Sequence, residues 1–126
     1  LGVAGLAGSG RTELLENIFG LSDRKGGKIF IHGKELKNKN ANDSVKAGLA
    51  LVTEERRANG IFAILDILSN TTISNLDKYV KFKFFLQKKK MKSDTDSVIK
   101  SMRVKTPSQS TQIRTLSGGN QQKVIF

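Results

Sequence analysis

The sequence predicts an α/β fold, a core of strands and helices with a helical, polar stretch carried on it. Three observations predict this. Gly5-Leu6-Ala7-Gly8-Ser9-Gly10-Arg11-Thr12 has the spacing of a phosphate-binding loop: glycine, four residues, glycine, a basic residue and a hydroxyl. A short apolar run, Leu1-Gly2-Val3-Ala4, precedes the loop as a buried parallel strand would, and a helical pattern follows it. From Ile61 to Ser110 the chain then turns helical and polar.

The loop comes first in the chain. Its glycines let successive N–H groups converge on an anion, and the helix behind adds its positive end. Gly5, Gly8, Ser9, Gly10, Arg11, Thr12 and Glu13 are therefore candidate phosphate-binding residues, with Gly8 to Glu13 expected to wrap the anion. Thr12 is placed to ligate magnesium through its hydroxyl. Arg11 departs from the usual lysine. It keeps the charge but replaces a compact ammonium with a planar fork, which meets phosphate differently.

Thr12 to Phe19 puts Leu14, Leu15, Ile18 and Phe19 on one helical stripe, and Gly20 is a natural stop. Residues 26–36 read as a strand bounded by glycine turns, with His32 a structural or exposed residue beside Gly33. Residues 37–44 read as a polar loop in which Asn42 or Asp43 caps a short helix reaching Ala47. Residues 48–53 form a second buried-strand candidate. The charged loop 54–60 follows at once. Ligands in open α/β sheets bind beyond the carboxyl ends of strands, so this loop and the phosphate loop are candidates for one site. A solvated surface turn is the competing reading.

Ile64, Leu65, Ile67 and Leu68 begin the helical stretch, and 88–102 places Val98, Ile99 and Met102 on one face. Residues 78–92 hold seven lysines and no acidic residue, with Phe82, Phe84 and Phe85 interleaved. A nucleic-acid patch and a surface for anionic lipid are both open. The favoured reading is a solvated face with the phenylalanines packed partly buried beneath, because basic charge alone fixes no partner.

Composition narrows the classes. The 126 residues carry a net charge of +11 and no cysteine, which excludes a disulfide framework and a thiolate metal site. No stretch approaches the roughly 20 apolar residues of a membrane helix. The first residue already reads as strand and the last run stops inside an apolar segment, so the chain is expected to be a piece of something larger.

Leu116-Ser117-Gly118-Gly119-Asn120-Gln121-Gln122-Lys123 closes the pattern. Ser117 is a suitable helix N-cap, and the two glycines bare N–H groups at the positive helix end, a second phosphate-binding surface. This run resembles the signature motif of ATP-binding cassette proteins, and a phosphate loop with this signature is far more specific than either alone. Residues 8–14, Thr53-Glu54-Glu55-Arg56-Arg57 with Asn59-Gly60, and Lys105-Thr106-Pro107-Ser108 are similar to the second, C-terminal cassette of bacterial ribose-, galactose- and xylose-type importers.

The resemblance implies a partial P-loop NTPase-type ABC ATPase core with an inserted helical subdomain. Residues 1–62 would be nucleotide-binding core, 63–115 helical subdomain, and 116–126 the signature with the start of its helix. It implies ATP and magnesium as cofactors, and Glu54 at the Q-loop position, where most cassettes carry glutamine. Ser117, Gly118, Gly119 and Asn120 would serve the partner cassette's site in trans. The aspartate that holds metal, the water-activating glutamate and the switch histidine would lie downstream, so the piece alone is expected not to hydrolyse ATP. Implied partners are a second cassette, permease subunits and, indirectly, a sugar-binding protein, at the cytoplasmic face of the bacterial inner membrane, with no nucleic acid. The alternative is a soluble cassette ATPase acting on nucleic acid or ribosomes. A kinase or GTPase with a phosphate loop is disfavoured by the signature.

Overall fold

A computed structural model describes residues 2–82 and 84–126. The chain forms two compact units, Leu1–Glu54 and Glu55–Phe126.

In the first unit, helix α1 spans Arg11–Phe19 and ends at Gly20, whose φ of 83° closes the helix with N–H bonds back to its last carbonyls. A side chain on Gly20 would press within 3.0 Å of the Asn40 backbone, so glycine is also needed for space. The stretch expected as one strand over 26–36 is a hairpin, β1 Ile29–Ile31 against β2 Lys34–Leu36, antiparallel. His32 and Gly33 both take positive φ, as a tight hairpin turn requires. Helix α2, Ala41–Lys46, is capped by Asn40, whose carbonyl oxygen accepts from the Asp43 N–H at 3.0 Å. The cap lies two or three residues before the expected Asn42 or Asp43.

Two expected strands do not form. Residues 2–6 and 49–53 are irregular, and 2–6 are exposed. A parallel strand exists only beside a hydrogen-bonded neighbour, and neither segment meets one among the described residues. Leu14 and Leu15 of the expected apolar stripe consequently stay about half exposed. A polar clasp takes the place of an apolar core. Buried Ser44 donates to the Phe19 carbonyl at 2.7 Å, while the Asn38 amide donates to Ser44 Oγ and to the Ile18 carbonyl.

The second unit opens with a single π-type turn at Arg56–Gly60. Helix α3, Ile67–Thr72, is capped by Asp66, which accepts from the Ser69 N–H, and a 3-10 segment Ile73–Tyr79 continues it. Two short strands, β3 Val80–Lys81 and β4 Phe85–Leu86, then pair antiparallel. This hairpin corrects the expectation of a helical stretch throughout 61–110. Helix α4, Lys88–Ser101, packs on α3, and α5, Gly118–Ile125, packs on α3 as well. Between them lies a short 3-10 turn, Ile113–Thr115.

The core of this unit is Ile67, Val104, Ile113 and Val124, with Ile99 of α4 and Met102 at its C-cap, two of the three residues expected on one face, packed against it. Residues 63–68 run against 109–114 through backbone bonds, among them Ile67 N to Thr111 O and Ile113 N to Leu65 O. That pairing holds the chain entering the signature directly against the core.

Tyr79 is buried, and its phenol is pushed above the ordinary value of 10.0 by burial, then by the Asp94 hydrogen bond and charge. The folded state thus keeps a proton the unfolded chain releases more easily. Its contribution to stability is whole below about pH 10 and lost as pH climbs through the higher folded value. Tyr79 is the sole tyrosine. Phenolate absorbance should therefore titrate above free tyrosine, and a midpoint at or below the free value would contradict the burial.

Candidate functional site

The phosphate loop is built by two left-handed glycines, Gly8 at φ 78° and Gly10 at φ 82°, which turn the chain into α1. Such values strain any side chain with a Cβ. Gly5 is needed for a different reason: a Cβ there would collide with the Ser9 hydroxyl. The Ser9 N–H is spent inside the loop on the Leu6 carbonyl at 3.1 Å. Leu14 N–H is the first to find a partner within the helix, on Gly10 O at 2.9 Å. That leaves the N–H groups of Arg11, Thr12 and Glu13 as the donors at the positive end of the helix.

Thr12 Oγ1 donates to Glu54 Oε2 at 2.8 Å, across 42 positions of sequence. The structure thus brings the loop hydroxyl and the Glu54 carboxylate together within one unit. They line a cleft of about 220 Å³ with Arg11, Glu16 and Thr53. The buried Thr53 hydroxyl has no hydrogen-bond partner among the described residues. A hydroxyl, a carboxylate and helix-end amides are a donor set that suits a phosphate with magnesium, a cation that takes oxygen ligands. The residues present fit that pair. No group of three or more His, Cys, Asp or Glu that could hold a metal ion gathers among the described residues.

The signature lies in the second unit. Ser117 occupies the N-cap position of α5, yet its hydroxyl makes no bond to a helix N–H. The expected cap position is filled, without the side-chain bond. Asn120 Nδ2 instead donates to Ser117 Oγ at 3.0 Å, and Asn120 Oδ1 accepts from the Lys105 N–H at 3.0 Å. Ser117 and Gly119 are exposed, and nothing would obstruct a Cβ on Gly119. Gly118 differs. A Cβ there would come within 2.5 Å of Arg56 Nη2 and 3.1 Å of its Cζ.

Arg56 and Gln121 are the residues that sequence reasoning did not single out. The Arg56 Nε donates to Gln121 Oε1 at 3.3 Å, so the guanidinium is held over Gly118. Gln121 is buried, and its amide donates to the carbonyls of Ile113 and Leu116 at 3.2 and 3.1 Å. Its NH2 group thus holds the turn before the signature, while its oxygen holds Arg56. Only its place one turn into α5 could have suggested this. Glutamine at that spacing has no signal of its own.

A family model described as ABC transporter matches residues 1–126. The chain is 57% identical over 126 residues to the galactose/methyl galactoside import ATP-binding protein MglA of Vibrio cholerae. It is 59% identical over 127 residues to the protein of that name from Fusobacterium nucleatum, and 54% over 126 residues to that from Escherichia coli. Each match covers the whole chain and 25% of the relative, so the chain spans about a quarter of the length of the curated relatives it matches. With a phosphate loop, a paired carboxylate and a glycine signature at a helix start, the chain belongs to the ABC transporter family.

Proposed function

We propose that this chain is part of the ATP-binding subunit of a galactose or methyl galactoside importer, from its second cassette. The observation that carries the reading is the Thr12–Glu54 contact, which joins the phosphate loop to the loop after residue 53. The names of the relatives supply the sugar. The motif residues at 8–14, 53–57 and 116–123 support the second-cassette assignment. Residues 63–115 then serve as the helical subdomain between core and signature.

In this reading the N–H groups of Arg11, Thr12 and Glu13 bind phosphate oxygens, and the Arg11 fork adds charge beside them. Thr12 and Glu54 offer oxygens to magnesium, which when bound with ATP supplies charge neutralisation at the phosphates. Ser117 and the amides of Gly118 and Gly119 face the nucleotide of a partner cassette. Asn120 stands behind them as a brace. The implied partners are that second cassette, permease subunits and a sugar-binding protein, at the cytoplasmic face of the inner membrane. No helix among the described residues is long and apolar enough to cross a membrane.

The test is reconstitution of the intact protein with its permease in proteoliposomes. ATP turnover should rise when galactose or methyl galactoside and the binding protein are added. The 126-residue chain alone should show no turnover above a protein-free control. Turnover indifferent to sugar but stimulated by RNA would replace this reading with a soluble ATPase acting on nucleic acid.

A further inference from the structure

Phe82, Phe84 and Phe85 were expected to lie partly buried beneath a solvated lysine face, and in the β3–β4 hairpin they do the opposite. Phe82, Phe84 and Phe85 are 76%, 87% and 70% exposed. Val80 and Leu86 beside them are exposed as well, at 37% and 48%. The tip itself is unusual. Phe82 has a φ of 53°, a conformation that bulky side chains rarely accept and that glycine or asparagine normally fills. A strained turn made of exposed phenylalanine has no reason in packing, and retained strain of this kind points towards a contact.

What holds the hairpin is separate from what it exposes. Tyr79 and Met91 are buried at its base, and Gln87 N–H closes it on the Tyr79 carbonyl at 2.8 Å. The apolar tip therefore projects from a fixed support. Around it stand Lys78, Lys81, Lys88, Lys89 and Lys92, all exposed. Lys81 Nζ lies 5.2 Å from the centre of the Phe82 ring, so charge and ring are presented together. The sequence has no acidic residue anywhere from 78 to 92.

We propose that the β3–β4 hairpin and the first turns of α4 dock on a membrane bearing anionic lipid headgroups. The phenylalanines enter the headgroup layer while the lysines pair with lipid phosphates. Charge complementarity selects an anionic partner, and two features select lipid over nucleic acid. The exposed patch includes aliphatic Val80 and Leu86, which offer no ring face for a base to stack on. Its cations are all lysine and none arginine, flexible stems that lie along apolar surface with the charge in water, where arginine would be favoured for stacking on bases. Apolar side chains backed by lysine are what an interfacial anchor requires. The proposal does not rest on the transport reading, since nucleotide and sugar have no part in it.

The test is co-sedimentation of the intact protein carrying these residues with vesicles of phosphatidylcholine, with and without phosphatidylglycerol, at physiological ionic strength. Binding is expected only where phosphatidylglycerol is present. The variant Phe82→Ser, Phe84→Ser, Phe85→Ser should weaken it by about tenfold or more. The variant Lys88→Gln, Lys89→Gln, Lys92→Gln should weaken it on the order of a hundredfold, at about fivefold per lysine. All six side chains are exposed, so both variants should melt with the parent, and two separate changes guard against a folding artefact in either one. Equal binding to neutral vesicles, no vesicle binding, or undiminished binding by the two variants would overturn the proposal. Tighter binding to single-stranded RNA at the same salt, lost in these variants, would overturn it in favour of nucleic acid.

Discussion

Ser117→Arg in the intact protein is expected to reduce ATP-driven sugar uptake to background, and Arg11→Ala to cause a smaller loss. Ser117 is exposed at the start of α5 beside the open Gly119 backbone, and a long cation there would fill the space a phosphate needs. Losing one preorganised donor to a transition-state oxyanion costs about 2.7–4 kcal/mol, a rate factor of about a hundred to a thousand. The obstruction adds to that loss. Arg11 lies in the loop of a site whose side chain already departs from lysine, so truncating it removes charge from a site expected to be slow. Paired measurements of steady-state ATPase and uptake decide between the two. If Arg11→Ala proves as damaging as Ser117→Arg, the sites are not divided in this way and the first unit has a working site of its own.

The largest effect on stability is expected from Ile113→Ala, at about 2–5 kcal/mol. Ile113 is fully buried among Ile67, Val104 and Val124. Its backbone is equally engaged, donating to Leu65 O and accepting from Gln121. Removing three carbons leaves a cavity that the pinned backbone cannot close, which argues for the upper part of that range. The matched control is Ile64→Ala. Ile64 is 71% exposed, and a change there should fall within about 0.5 kcal/mol. Urea denaturation of the intact protein, followed by a probe in the second unit, reads both. Equal midpoints for the two variants would mean that Ile113 is not part of a cooperative core.

The features legible in the sequence were those fixed by neighbours in the chain. Helix α1 and its glycine stop follow from spacing within nine residues and from one backbone angle. The His32-Gly33 turn carried its own glycine, although the strands on either side were merged into one. The β3–β4 hairpin was missed because Phe82-Lys83-Phe84 has no turn residue, and the apolar letters there imitate a buried helix face. The two absent strands show the other limit. An apolar run of four to six residues states a preference for burial, while its pairing depends on a neighbour far away in sequence. For the sites, glycine spacing revealed both loops. The Arg56–Gln121 contact was invisible although both residues lie in the quoted runs, because spacing within each run says nothing about a pairing 65 positions away.

The brace behind the signature also fixes the polarity of its hydroxyl. The Lys105 N–H settles which end of the Asn120 amide faces Ser117, so the NH2 group must be the end that reaches Ser117 Oγ. With the Asn120 NH2 donating to the oxygen from behind, the Ser117 proton is free to point to whatever approaches from the front. The serine is thereby biased to donate towards an anion's oxygen, although its second lone pair can still accept. An aspartate at 120 would undo this. It would keep the bond from Lys105 but draw the serine proton backwards, and the same hydroxyl would present lone pairs to an incoming phosphate.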